Sequence, residues 1–197
     1  MLGPVIMSLA LGAPPPPPVT AYSDLVREPA NQDEHARVES IIDRCPRAAR
    51  VHIDPFAVLA LVRLEEELGV PTEARGLLPA VWCIESAFRP AERLFGDMGA
   101  ALGPAQFHEQ LAAWCMGDYR VRGKDWRGDF VFSARCWVAH VMRNLDRARA
   151  RCGPDKAWQV AEAVVANPAR YGWRCAASSE HWKLAETFRA ALAAAPN

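Results

Sequence analysis

The chain has no surplus of either charge, since 23 Lys and Arg stand against 23 Asp and Glu in its 197 residues. Binders of long polyanions show a basic excess or stripe, so nucleic acid is not the expected partner. No two of the six cysteines lie two to four residues apart. That spacing leaves neither a structural zinc knuckle nor a Cys-x-x-Cys redox pair. Also missing are a Gly-x-Ser-x-Gly elbow, a phosphate-cradling glycine loop and a His-Glu-x-x-His zinc helix. His108-Glu109 begins like the last of these and reads instead as a polar helix face. Strand-like alternation is almost absent.

What is present is a 51% hydrophobic chain of a length that buries a sizeable core, which describes one globular domain and excludes collagenous, coiled-coil and fully disordered chains. Its cysteines, at 45, 83, 115, 136, 152 and 175, are even in number and scattered. Together with an apolar leader they read as three disulfides formed outside the cytoplasm, although six cysteines allow 15 connectivities. The leader, Leu2 to Ala13, is too short to span a bilayer and suits the h-region of a secretory signal. Pro14 to Pro18 follow as an extended polyproline stretch. Residues 1–32 are therefore read as leader and linker, with a misplaced start as the alternative, and residues 33–197 as the folded domain.

From Asp33 onward the apolar spacing is helical, beginning with Val38, Ile41, Ile42 and Cys45. Asp54-Pro55 supplies an N-cap followed by proline, opening a second helix that Gly69 closes. A third is expected over Leu77 to Phe88, and a fourth after Pro104 through Phe107, Leu111 and Trp114. A long fifth is expected from about Phe130 to Arg149, a sixth through Trp158, Ala161 and Val165, and a seventh from Ser178 or Ser179 to Leu192. The expected class is all-α, with loops around Pro90 to Gly103, Gly117 to Arg127 and Asn167 to Ala177.

The chemically informative stretch is Leu77 to Phe107. Glu85 shares a helix face with Val81, Trp82 and Phe88. A carboxylate there must be paired, exposed at the helix end, or held partly protonated by desolvation, and the last is what a general acid needs near neutral pH. Twenty residues on, Gly103-Pro104-Ala105-Gln106-Phe107 places Gln106 on the expected first turn of a helix, offering a donor and an acceptor to a cleft.

A Glu-Ser pair ending an apolar helix, followed by Gly-Pro-Ala-Gln-Phe, resembles the lysozyme-like lytic transglycosylases that cleave peptidoglycan. The second motif is especially like the lytic murein transglycosylase B branch, and the first is shared with soluble-transglycosylase domains and goose-type lysozyme. The resemblance implies a lysozyme-like fold of about seven helices around a glycan-binding cleft. It implies Glu85 as the sole acid/base, Ser86 as its positioning neighbour, and Gln106 with Phe107 along the glycan. The family's Ala-Tyr-Asn-Ala-Gly motif has a faint counterpart around Asn167, with Tyr171 just beyond.

With one carboxylate, the implied reaction protonates the oxygen between N-acetylmuramic acid and N-acetylglucosamine. It then takes the proton of the muramic C6 hydroxyl as that hydroxyl attacks C1, forming a 1,6-anhydro end without metal or cofactor. Asp97 is the candidate second carboxylate, which would favour a water-using muramidase; the other reading is a turn at Gly96-Asp97. A non-catalytic, disulfide-stapled peptidoglycan-binding module is the rival from another class. The expected setting is periplasmic or secreted, with glycan strands as substrate and a wall-remodelling or secretion machine as partner. His35, His52, His140 and His181 are read as surface or core residues rather than ligands. Trp114, Trp137 and Trp158 are read as core, whereas Trp126 and Trp173 either pack under loops or stack on sugar. Arg143, Arg147 and Arg151 form a solvated helix face.

Overall fold

A computed structural model describes residues 28–48, 52–88 and 129–193, together with residues 25, 95–96, 101–102, 105–108, 113 and 115. Among these the chain is all-α, with seven helices: α1 (Gln32–Arg44), α2 (Pro55–Glu67), α3 (Leu77–Ser86), α4 (Phe130–Cys152), α5 (Ala157–Ala166), α6 (Pro168–Tyr171) and α7 (Glu180–Ala193). One small antiparallel sheet joins them, with β1 (Phe95–Gly96) pairing β2 (Ala101–Leu102) and β2 pairing β3 (Phe107–His108).

The helix boundaries follow from local chemistry. Asn31 caps α1 by accepting the Glu34 N–H at 2.9 Å, and Asp54 caps α2 by accepting the Phe56 N–H at 2.9 Å, with Pro55 just inside. Asp129 caps α4 through the Phe132 N–H at 2.8 Å, and Gly153, at φ 85°, ends it. The packed chain reaches back beyond Asp33. Leu25 is buried, and Arg63 donates to the Leu25 carbonyl at 2.9 Å, to the Glu28 carbonyl at 3.1 Å and to Glu34 at 2.8 Å. Leu25 and Glu28 thus contact α2 from ahead of Asp33.

Two expectations are corrected by the small sheet. Phe107 and His108 form strand β3 opposite Leu102 and Ala101, where a fourth helix was expected to start after Pro104; Ala113 and Cys115, farther along that stretch, are helical. His108 is therefore on no helix face, and Gln106 sits in the β2–β3 turn at φ 50° rather than on a first helical turn. The third helix stops at Ser86, short of Phe88, because Ala87 and Phe88 turn left-handed at φ 53° and 57°. The loop expected from Asn167 contains the single turn α6.

The core forms where α3 packs along α7, α4 against α5, and α1 across α2 and α7. Almost every side chain of α3 is buried, from Leu77 through Cys83 to Ser86. Trp137 is in the core, Trp158 and Trp173 pack against it, and Trp114 and Trp126 lie outside the described residues. Arg147 covers the Trp173 ring at 4.3 Å, so that indole packs beneath a helix side chain. Arg143, Arg147 and Arg151 are all exposed, as the solvated face predicts.

All six cysteines pair in sequence order, Cys45–Cys83, Cys115–Cys136 and Cys152–Cys175, and none is free. Three disulfides indicate an oxidising, extracytoplasmic environment. Among the described residues no helix is long and apolar enough to cross a membrane. The expected leader, Leu2 to Ala13, and the proline stretch lie outside the described residues.

Candidate active site

Glu85 is the second-last residue of α3, where a wholly apolar helix reaches its end. The disulfide from Cys83 to Cys45 at the end of α1 anchors that end two residues before the carboxylate. Of the three states open to a glutamate on this face, the structure shows pairing at a helix end. The Glu85 side chain is 29% exposed, and its Oε1 lies 2.8 Å from His181 Nε2.

His181 is buried in the first turn of α7. Its other nitrogen, Nδ1, lies 3.1 Å from Oε1 of Glu162, a fully buried carboxylate on α5. Glu162 Oε2 accepts the Ser179 hydroxyl proton, and Ser179 Oγ in turn accepts the Trp182 N–H at 2.9 Å, capping α7. Ser179, Glu162, His181 and Glu85 thus form one continuous chain of hydrogen bonds from the core to the surface. Trp137 from α4 sets its ring edge-on to the imidazole, with centroids 5.5 Å apart and planes at 83°.

Burial alone pulls an imidazole towards its neutral form, but here it is outweighed. Hydrogen bonds to Glu162 and Glu85, together with their charges, push His181 up from 6.5 to about 9. Near neutral pH the site therefore holds a buried imidazolium that faces Glu162 and Glu85.

The other candidates are placed unequally. Ser86 is fully buried and its hydroxyl donates to the Trp82 carbonyl at 3.0 Å, which braces the helix end beside Glu85. Gln106 is half-buried in the β2–β3 turn, and the backbone of Phe107 starts β3. Asn167 uses its side-chain oxygen to accept the Arg170 N–H at 2.8 Å, capping α6, and Tyr171 ends that turn with the Arg170 guanidinium 5.3 Å from its ring. Asp97 lies outside the described residues.

Sequence reading gave no site role to His181, Glu162 or Ser179; it placed His181 among the surface or core histidines and offered Ser178 or Ser179 only as the start of the seventh helix. A signal for Glu162 was available: it is the only charged residue in the ten of α5 and falls on their apolar side. His181 carried none, being 96 residues from its Glu85 partner. Among the described residues one group has the donors for a metal, Cys115, Cys136 and His140, but its two sulfurs are joined in a disulfide and are not thiolate ligands. No protein-family model, no curated protein and no solved structure matches this chain.

Proposed function

We propose that this chain is a peptidoglycan lytic transglycosylase working in the periplasm or outside the cell, with Glu85 as its acid/base. One observation supports this above the others: a single glutamate, partly exposed at the end of a buried apolar helix, has one oxygen held by a buried imidazole. Among the described residues Oε2 has no hydrogen bond of its own, so it is the oxygen available to substrate. The position is also the one that the Glu-Ser motif assigns to the acid/base.

The reaction follows from one carboxylate working twice. Protonated Glu85 gives its proton to the glycosidic oxygen, and the bond from that oxygen to C1 of N-acetylmuramic acid breaks. The oxocarbenium-like centre left at C1 is attacked by the C6 hydroxyl of the same sugar. The resulting Glu85 carboxylate takes the hydroxyl proton and is restored to its starting state. Intramolecular attack replaces water and gains from a high effective concentration. The products are a free 4-hydroxyl on N-acetylglucosamine and a 1,6-anhydromuramic end.

Incubating the purified protein with peptidoglycan and weighing the fragments tests the reading. Anhydro ends are expected. Reducing ends would make the protein a water-using muramidase, and intact glycan would make it a non-catalytic binding module. Glu85→Gln keeps the shape of the side chain without its proton and is expected to lower turnover by roughly 10²- to 10⁴-fold while the fold survives.

A further inference from the structure

We infer that His181 is a positioning residue for Glu85, clamping Oε1 while Glu162 holds the imidazole from behind, so that Oε2 is the atom presented to substrate. This rests on Glu85 being the acid/base, as proposed above. The inference begins with donor counting. Each imidazole nitrogen faces a carboxylate oxygen, at 2.8 Å for Glu85 and 3.1 Å for Glu162. A neutral imidazole has one N–H and can donate to only one of the two carboxyl groups, whereas an imidazolium donates to both.

The clamp is stiff because each of its parts is fixed elsewhere. Glu162 is fully buried and has its second oxygen taken by Ser179, whose backbone position is set by capping α7. His181 is on that same first turn, with Trp137 against its ring. A free glutamate side chain surrenders rotamer freedom when ordered, and here the hydrogen bond on Oε1 orders it before substrate arrives. The N–H on Oε1 also faces the charge that appears when Glu85 gives up its proton, which favours that step.

The groups acting on the imidazole define when the clamp operates. Glu85 faces it from α3, Glu162 from α5, and Trp137 contributes only a neutral ring from α4. Glu162 and Glu85 keep the imidazole charged through neutral pH, and the double donor is lost as pH rises through about 9.

The test is an NMR titration of the imidazoles in the full chain, combined with kcat and KM on peptidoglycan. Among the five histidines, the His181 signal is identified by its loss in His181→Gln. It is expected to titrate near 9, and both Glu85→Gln and Glu162→Gln should lower that midpoint. His181→Ala should lose roughly 10- to 100-fold in kcat with little change in KM. His181→Gln, whose amide N–H can replace Nε2–H, should recover much of that loss and remove the alkaline fall in kcat near 9. A midpoint near 6.5, or one unmoved by Glu85→Gln, overturns the clamp, as does wild-type kcat in His181→Ala. If His181→Gln does not fold, through-bond assignment of the wild-type imidazoles identifies the signal, and the wild-type midpoint then tests the pairing. A raised, Glu85-dependent midpoint without glycan cleavage would uphold the clamp and sink the proposed activity; cleavage with an insensitive midpoint would do the reverse.

Discussion

Glu65 holds the start of the helix that ends in Glu85, its Oε2 accepting the Gly76 N–H and its Oε1 the Leu78 N–H, each at 2.7 Å. Gly76 has no side chain to cap α3, so a carboxylate from α2 satisfies the otherwise orphaned donors across 11 and 13 residues. The helix dipole favours an anion there. Burial opposes it and prevails: desolvation pushes Glu65 up from 4.5 to about 7, against the lowering effect of those N–H groups and of Arg75.

A pH dependence of stability follows from that balance. The folded chain holds the Glu65 proton to higher pH than the unfolded chain does, so the associated stabilisation is full below 4.5 and fades as pH rises to about 7. The gap between those values corresponds to about 3 kcal/mol. Denaturant melts between pH 4 and 8 should show this decline, and Glu65→Gln, which has no proton to lose, should flatten it. An equally steep decline in the variant would assign the effect elsewhere.

His181 acts in the next window and with the same sign. It is raised from 6.5 to about 9, so its stabilisation is complete below 6.5 and is lost as pH climbs through about 9. The slope inside that window approaches about 1.4 kcal/mol per pH unit. Melting temperatures from pH 6 to 10 should fall more steeply for the wild type than for His181→Gln. A parallel fall would mean the imidazolium pair adds nothing to stability.

The parts of this architecture that could be read from sequence are those fixed within a few residues. Asp54-Pro55 announces α2, Ser179 opens α7, and Glu85 is visible as a lone carboxylate on an apolar helix. Long-range pairing leaves no local mark. Gly103-Pro104 has the grammar of a helix start, yet the next residues pair with Ala101 and Leu102, in strands too short to show alternation. The cysteine pairing had 15 solutions and took the sequential one. His181 joined the site through packing of α3, α5 and α7, a contact between residues 85 and 181 that no spacing rule encodes.

The disulfides should differ in worth according to the loops they close. Cys45–Cys83 spans 38 residues and Cys152–Cys175 spans 23. The chain-entropy estimate gives about 3.9 and about 3.4 kcal/mol respectively. Paired alanine variants under denaturant should rank in that order, with Cys45→Ala/Cys83→Ala also loosening the end of α3 that carries Glu85. Alkylation without reductant should leave the mass of natively produced protein unchanged, and six added labels would refute all three bonds.

Gly76 sets how closely α3 can lie on α7. Its φ is 83°, and a Cβ placed on it would stand 2.9 Å from Phe188 Cβ, 3.0 Å from the Ala185 carbonyl and 3.2 Å from the Arg189 nitrogen. Two of those three atoms are helix backbone, and Phe188 is fully buried, so none can give way cheaply. Gly69 provides the control. It too has a positive φ, 66°, but open space where its Cβ would be. Gly69→Ala should therefore cost only the left-handed strain of about 1 kcal/mol, whereas Gly76→Ala adds overpacking and should cost about 3 kcal/mol or more. Because α3 and α7 carry Glu85 and His181, forcing them apart should also stretch the 2.8 Å pair and lower the His181 midpoint. Equal losses of stability in the two variants would show that the helices can separate freely at Gly76, and that close packing there does not hold the candidate site together.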